Sequence, residues 1–134
     1  MITDERMKQI LEDMNTIAVV GLSDNPDRAS HQVAKYMQNA GYRIIPVNPN
    51  AKQILGEKVY PSLKDIEDQV DIVNVFRRSE TVLPIAQEAT QIQAKAFWLQ
   101  LGIENEEAAN LASQQGLDVI MNRCIKIEHA RLLN

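Results

Sequence analysis

The feature that most constrains the fold is a β-branched run that ends at one glycine and is followed by a polar turn and a helix-like segment. The run is Thr16–Val20, the glycine is Gly21, and the helix-like segment covers residues 33–40. A strand, a turn and a helix in this order are typical of the opening unit of an α/β fold. The start of such a helix presents unpaired backbone N–H groups, which suit phosphate. The sequence therefore predicts an anion site at this turn.

The turn departs from the dinucleotide-binding pattern, because only one of the three glycines of that pattern is present. Polar side chains that can donate hydrogen bonds to an anion take the other places: Ser23, Asn25, Arg28 and Ser30. Ser30 is also expected to cap the helix, a role that is compatible with phosphate binding. A cation at Arg28 is unfavourable beside the positive end of a helix unless an anion compensates it, which favours a functional role.

Strands and helices alternate along the rest of the chain. Helices are predicted over residues 4–14, 30–40, 80–93, 105–115 and 125–133, with one capped turn over 62–66. Strands are predicted over 17–20, 42–47, 70–76, 94–99 and 117–121, with a weak one over 57–60. Strands separated by helices pair in parallel through right-handed crossovers. We therefore predict an α/β fold with an open, mainly parallel sheet of five to six strands and helices on both faces.

Composition limits the class of protein. A chain of 134 residues with 45% hydrophobic residues has the size and core of a single domain, so residues 1–134 are interpreted as one unit. The net charge of −4 argues against a nucleic-acid or membrane-surface partner. One cysteine, no apolar run of about 20 residues and no apolar signal segment favour a cytoplasmic protein. No histidine or carboxylate has a partner at metal-ligand spacing, so no metal is predicted.

Topology indicates where a ligand would bind. In an open parallel sheet, the binding crevice lies at the carboxyl ends of the strands, where the strand order reverses. The usual order places that reversal between the strand ending at Gly21 and the strand ending at Phe76. The turn over residues 22–30 would then face the turn that contains Arg77 and Arg78, and residues 48–52 would flank the first turn.

One absence discriminates among ligands. Proteins that hold NAD by its adenosine ribose usually carry an acid at the end of the second strand, about 20 residues past the glycine turn. Residues 46–52 contain no acid and include Lys52. A neutral or basic site tolerates a phosphate on the ribose. Coenzyme A carries such a phosphate at the 3′ position and NADP at the 2′ position, and these residues leave both open.

Several patches taken together resemble a known family. They read VGLS at residues 20–23, PDRAS at 26–30, IPVNP at 45–49, ILG at 54–56, DIVNVFR at 71–77, WLQLGI at 98–103, NEEA at 105–108 and MNRC at 121–124. As a set they resemble the single-domain CoA-binding proteins of bacteria and archaea. That family is similar to the N-terminal CoA-binding domain of the succinyl-CoA ligase α subunit.

The resemblance implies a Rossmann-like sheet and coenzyme A, or an acyl-CoA, as the ligand. It implies phosphate contacts at Gly21, Leu22, Ser23, Asn25, Arg28 and Ser30. It implies adenosine contacts at Val47, Asn48, Pro49 and Lys52. It implies a pantetheine path along Phe76, Arg77 and Arg78.

The resemblance does not imply a catalytic activity, because the ligases carry their phosphorylated histidine in a second domain. In addition, no nucleophile–base pair is visible in this sequence. The leading interpretation is a CoA-binding carrier, sensor or module without catalytic residues. A homo-oligomer or a partner enzyme stays open. Two alternatives are an NAD(P)-binding redox protein or sensor on the same fold, and a separated CoA-binding subunit of an acyl-CoA ligase. Cys124 is interpreted as a small buried hydrophobe, with thiol exchange as a second hypothesis.

Overall fold

The computed structural model describes residues 2–133, and these form a five-stranded parallel sheet and a small hairpin. The sheet contains β1 (Thr16–Val20), β2 (Arg43–Val47), β5 (Ile72–Val75), β6 (Ala96–Leu99) and β7 (Asp118–Ile120). The hairpin consists of β3 (Gln53–Ile54) and β4 (Glu57–Lys58). The sheet order is β2-β1-β5-β6-β7, and every neighbouring pair is parallel. The predicted fold class and the reversal of strand order at β1 are confirmed.

The helices cover both faces of the sheet. They are α1 (Asp4–Asp13), α2 (Ala29–Asn39), α3 (Leu83–Gln91), α4 (Glu106–Gln114) and α5 (Ile125–Leu133). Alternate residues of β1 show the two faces, because Ile17 and Val19 pack in the core under α1, α2 and α5. Ala18 and Val20 pack in the opposite core, under α3 and α4. No helix between residues 2 and 133 combines the length and apolar character that crossing a membrane requires.

The predicted helix over residues 80–93 is wrong at its start. A separate 3-10 turn covers Ser79–Thr81, and α3 begins only at Leu83. Pro84 explains this boundary, because proline lacks an N–H group and is tolerated in the first turn of a helix rather than inside it. The turn predicted over residues 62–66 is likewise a 3-10 turn, Leu63–Asp65, and Ser62 makes no side-chain cap bond to it.

The weak strand predicted over residues 57–60 is shorter than expected. Only Glu57–Lys58 pairs as a strand, within the hairpin. Tyr60 instead forms an isolated parallel bridge with Val47 at the end of β2. Its N–H donates to the carbonyl of Pro46 at 3.0 Å, and its carbonyl accepts from the N–H of Asn48 at 3.0 Å. This bridge fixes the segment that follows β2 against the edge of the sheet.

Candidate functional site

Three turns meet at the carboxyl edge of the sheet, where the sequence placed the crevice. The N–H of Gly21 donates to the carbonyl of Val47 at 2.9 Å, and the N–H of Phe76 donates to the carbonyl of Val20 at 2.8 Å. The side-chain amide of Asn48 donates to the carbonyl of Leu22 at 2.9 Å. The turns after β1, β2 and β5 are therefore hydrogen-bonded into one surface.

Gly21 lets the first and third of these turns approach each other. Its φ of +86° lies in the left-handed region, and a Cβ atom there would overlap the carbonyl oxygen of Phe76. The same Cβ position lies 3.3 Å from Nε of Arg77, so this guanidinium lies directly against the glycine turn. Glycine is required here both for its backbone conformation and for its lack of a side chain.

Arg77 lies between two cavities at this edge. One cavity, of about 440 Å³, is lined by Arg77 with Phe76, Arg78, Thr81 and Ile85. The other, of about 170 Å³, is lined by Arg77 with residues that include Val47 and Pro49 from the end of β2. Arg77 is half-buried and forms no ion pair with any residue in the described range 2–133. Because a guanidinium is always charged, this arrangement suits an anionic ligand.

Ser30 does not cap α2, so the expected capping role is wrong. The helix begins one residue earlier than predicted, and Arg28 occupies the cap position without a side-chain cap bond. The hydroxyl of Ser30, which is 5% exposed, instead accepts from the N–H of Ser23 at 3.0 Å. This bond closes the turn after β1 on itself.

The start of α2 consequently lacks a side-chain cap. Two other helices are capped, because Thr3 accepts from the N–H of Arg6 and Asn105 accepts from the N–H of Ala108. Arg28 is exposed and forms no ion pair within residues 2–133. An uncapped helix start beside an uncompensated arginine is a suitable environment for a phosphate.

His31 braces the same turn. Its Nδ1 lies 2.9 Å from the carbonyl oxygen of Ser23. Because a carbonyl oxygen only accepts, Nδ1 carries the proton in this contact. This contact reaches eight residues back along the chain, a separation for which the sequence carries no periodic signal.

The remaining predicted residues differ in their placement. Leu22 is fully buried, so only its backbone reaches the crevice. Asn25 is exposed and shapes the turn, its side-chain oxygen accepting from the N–H of Asp27 at 3.0 Å. Lys52 is exposed and lines neither cavity. Arg78 is 83% exposed at its side chain and lies 3.6 Å from a carboxylate oxygen of Glu80.

The sequence patterns did not predict that residues of α3 line the two cavities beside Arg77. Ile85 lines both cavities, and Glu88 lines the smaller one. The carboxylate of Glu88 accepts from the N–H of Leu63 at 3.2 Å, which joins α3 to the segment after β4. Ile85 lies in the first turn of α3, soon after the turn that contains Arg77 and Arg78, and this position at the start of a crossover helix was the available signal.

Metal binding and thiol chemistry concern other side chains. Between residues 2 and 133, no group of three or more His, Cys, Asp or Glu side chains is placed to hold a metal ion. Cys124 is a half-buried free cysteine that packs against the core under α1, α2 and α5.

Comparisons with known proteins show which family the chain resembles. A family model described as CoA binding domain matches residues 15–130. The chain is 53% identical over 124 residues to the uncharacterized protein YneT of Bacillus subtilis (strain 168), and the match covers 92% of each chain. It is 38% identical, with a TM-score of 0.96, to a solved hypothetical protein from Pyrococcus horikoshii OT3, covering 99% of this chain and 94% of that one.

A larger relative is an enzyme subunit. The chain is 26% identical over 129 residues to subunit alpha of the ADP-forming acetate–CoA ligase II of Pyrococcus furiosus, matching 87% of this chain. The match spans only 28% of that subunit. The family model covers far more than half of the present chain. The fold of this chain is also that of the solved relative from Pyrococcus horikoshii OT3. The chain therefore belongs to the CoA-binding domain family.

Proposed function

We propose that this chain binds coenzyme A or an acyl-CoA in the crevice at the carboxyl ends of β1, β2 and β5, and that it catalyses no reaction on its own. The observation that carries the proposal is Arg77. This half-buried guanidinium lies against the Gly21 turn, lines both cavities and has no carboxylate partner among residues 2–133. A polyphosphate supplies the charge that the protein leaves uncompensated.

The crevice has distinct places for the parts of this ligand. The diphosphate is assigned to the Gly21 turn, where the uncapped start of α2 provides N–H donors, the hydroxyl of Ser23 is able to donate and Arg28 provides charge. The adenosine end is assigned to the smaller cavity beside Val47 and Pro49, with Lys52 nearby in sequence. The pantetheine arm is assigned to the larger cavity along Phe76. No acid lies at the end of β2 to select an unphosphorylated ribose.

Calorimetric titration of the full chain with CoA, dephospho-CoA and NAD tests this assignment. CoA is expected to bind more tightly than NAD. Dephospho-CoA is expected to bind about tenfold to a hundredfold more weakly than CoA, because a charge-assisted hydrogen bond contributes roughly 1.5–3 kcal/mol. NAD binding equal to or tighter than CoA binding would sink the assignment and favour the redox alternative.

A lysine pair supplies the matched control. Lys52→Ala should remove most of the preference for CoA over dephospho-CoA, because the 3′-phosphate loses its cation. Lys8→Ala removes an exposed lysine from α1 and should leave that preference unchanged. If both substitutions lowered this preference equally, the effect of Lys52 would come from the overall charge of the protein and not from a contact with the 3′-phosphate.

A second candidate function is a CoA-binding subunit of an acyl-CoA ligase. The match to an acetate–CoA ligase subunit favours it, because that relative contains a comparable region within a much longer chain. Purification from the native host under mild conditions separates the two candidates. A stoichiometric partner whose addition produces CoA thioester would establish the subunit role, whereas a chain that purifies alone with bound CoA supports the module.

A further inference from the structure

We propose that this chain selects CoA thioesters with an uncharged aliphatic acyl group, and that this group passes over Leu101 into a cavity at the carboxyl end of β7. The inference rests on the proposed function, since it needs the CoA part in the crevice described above. It assigns a role to a second cavity and to an exposed apolar side chain, neither of which belongs to the predicted CoA contacts.

The cavity lies beside the end of the edge strand. Its volume is about 470 Å³, and its apolar part is formed by Ile2, Val119, Ile120 and Met121. Asn122, Arg123, Glu104 and Glu106 complete its lining. None of the residues assigned to the diphosphate, adenosine or pantetheine lines it. The space is therefore available to a group that extends beyond the pantetheine arm.

Hydrogen bonds connect the CoA crevice with this cavity. The N–H of Glu104 donates to the hydroxyl of Ser79 at 3.0 Å, and the side-chain amide of Asn105 donates to the carbonyl of Ser79 at 2.9 Å. The N–H of Gly102 donates to the side-chain oxygen of Asn122 at 2.6 Å. The turn after β5, the loop after β6 and the segment after β7 thus form one continuous surface.

The distance from the pantetheine path at β5 to the cavity at β7 is short. Neighbouring strands lie roughly 4.8 Å apart, so β7 is about 10 Å from β5 along this edge. The pantetheine path begins at Phe76, at the end of β5, and β6 lies between the two strands. A flexible arm that leaves the β5 turn and continues in the same direction brings its thioester to the loop after β6.

Leu101 lies on this route and is unusually exposed. It is the second residue after the buried end of β6 and precedes Gly102, and it is 64% exposed. Exposed large hydrophobic side chains are rare in residues 2–133, and Ile127 on α5, at 54%, is the other one. An aliphatic chain lying over Leu101 would remove apolar surface of both partners from water.

Charge at the cavity determines which acyl groups fit. Glu104 and Glu106 line it and form no ion pair within residues 2–133. The charge of Arg123 is already met by Glu128, whose carboxylate lies 3.2 Å away. A carboxylated acyl group would meet two uncompensated carboxylates there, so the cavity favours an uncharged chain.

Titration of the full chain with CoA, acetyl-CoA, hexanoyl-CoA and succinyl-CoA tests the inference. Each buried methylene strengthens binding about threefold to fourfold, so hexanoyl-CoA is expected to bind at least about tenfold more tightly than acetyl-CoA. Succinyl-CoA is expected to bind more weakly than acetyl-CoA. Equal dissociation constants for the three thioesters would overturn the inference.

Two exposed residues give a matched pair of variants. Leu101→Asn should reduce the hexanoyl advantage about threefold and leave the affinity for CoA unchanged. Ile127→Asn removes a comparably exposed side chain outside the cavity and should change neither quantity. The double change Glu104→Gln with Glu106→Gln should raise the affinity for succinyl-CoA toward that for acetyl-CoA. Equal effects of the Leu101 and Ile127 variants would contradict the proposed route.

The outcomes separate this inference from the function on which it rests. If CoA itself does not bind, both fail. If CoA binds but the acyl chain and the variants have no effect, the CoA assignment survives and the acyl site is refuted. Circular dichroism of each variant confirms that the fold is retained, which the exposure of Leu101, Glu104 and Glu106 leads us to expect.

Discussion

At the scale of single residues, Gly21 carries the strictest steric requirement of the crevice. Its positive φ disfavours any L side chain, and its Cβ position is occupied by the carbonyl of Phe76. Gly116 also has a positive φ, of +91°, but has open space around its Cβ position. The two glycines therefore separate the cost of backbone conformation from the cost of contact between the turns.

We predict that Gly21→Ala lowers the free energy of unfolding by at least about 2–3 kcal/mol and abolishes measurable CoA binding. The left-handed conformation alone costs roughly 1–2 kcal/mol, and the overlap with Phe76 adds to it by moving the β1 turn away from Arg77. Gly116→Ala should cost only about 1 kcal/mol and leave binding intact. Urea unfolding and calorimetric titration measure both. Normal CoA affinity in a folded Gly21→Ala variant would show that this close approach does not matter to the ligand.

At the scale of elements, local patterns predicted the strands and helices, whereas contacts distant in sequence decided the details. The alternation of apolar strands with amphipathic helices predicted the parallel sheet, and standard topology then brought the turns after β1, β2 and β5 together. The capping of α2 was predicted wrongly, because whether Ser30 bonds to its own helix or to Ser23 depends on the folding of the turn. The bridge of Tyr60 to Val47 had no local signal, since the partners belong to different segments.

The packing of α5 includes a half-buried histidine, His129. Nδ1 of His129 lies 3.0 Å from the hydroxyl of Tyr36, and the rings of Tyr36 and Tyr42 approach it edge-on at 5.5 and 5.6 Å. Burial lowers the pKa of His129 below its usual value of about 6.5. The unfolded chain therefore takes up a proton at a higher pH than the folded chain does.

We predict that stability falls as the pH drops below about 6.5, because protonation of His129 then favours the unfolded chain. His129→Gln should lessen this fall between pH 7 and pH 5, since glutamine does not titrate. His31→Gln removes the other histidine of the chain and should retain the contribution of His129. Urea unfolding at several pH values makes the comparison. A slope that His129→Gln leaves unaltered would assign the pH dependence to other groups.

At the scale of the whole molecule, the charged groups at the amino ends and at the carboxyl ends of the strands differ in whether the protein itself compensates them. At the amino edge, the carboxylate of Asp71 accepts from the N–H groups of Asn15 at 2.9 Å and Thr16 at 3.1 Å, and lies 3.4 Å from Nζ of Lys95. Its burial alone would raise the pKa of Asp71, but these hydrogen bonds and the lysine together hold that pKa below its ordinary value. At the carboxyl edge, Arg77 has no such partner within residues 2–133. The carboxylate of Asp71 is therefore compensated within the protein, whereas the proposed function assigns the compensation of Arg77 to a ligand.

We therefore predict opposite effects of two single substitutions. Asp71→Asn should lower the free energy of unfolding by about 1–2 kcal/mol, because a charged hydrogen-bond acceptor is lost, and should leave the CoA affinity unchanged. The carboxylate of Asp71 stabilises the wild type above its unfolded pKa, and this contribution disappears as the pH falls through its lowered folded pKa, so the variant should lose that part of the acid sensitivity.

Arg77→Gln should weaken CoA binding at least about tenfold and leave stability equal or slightly higher, because a half-buried charge without a partner is removed. Urea unfolding curves measure the stability of both variants, and calorimetric titrations measure their CoA affinity. If Asp71→Asn weakened binding as much as Arg77→Gln, the division of the molecule into a stabilising edge and a binding edge would be wrong.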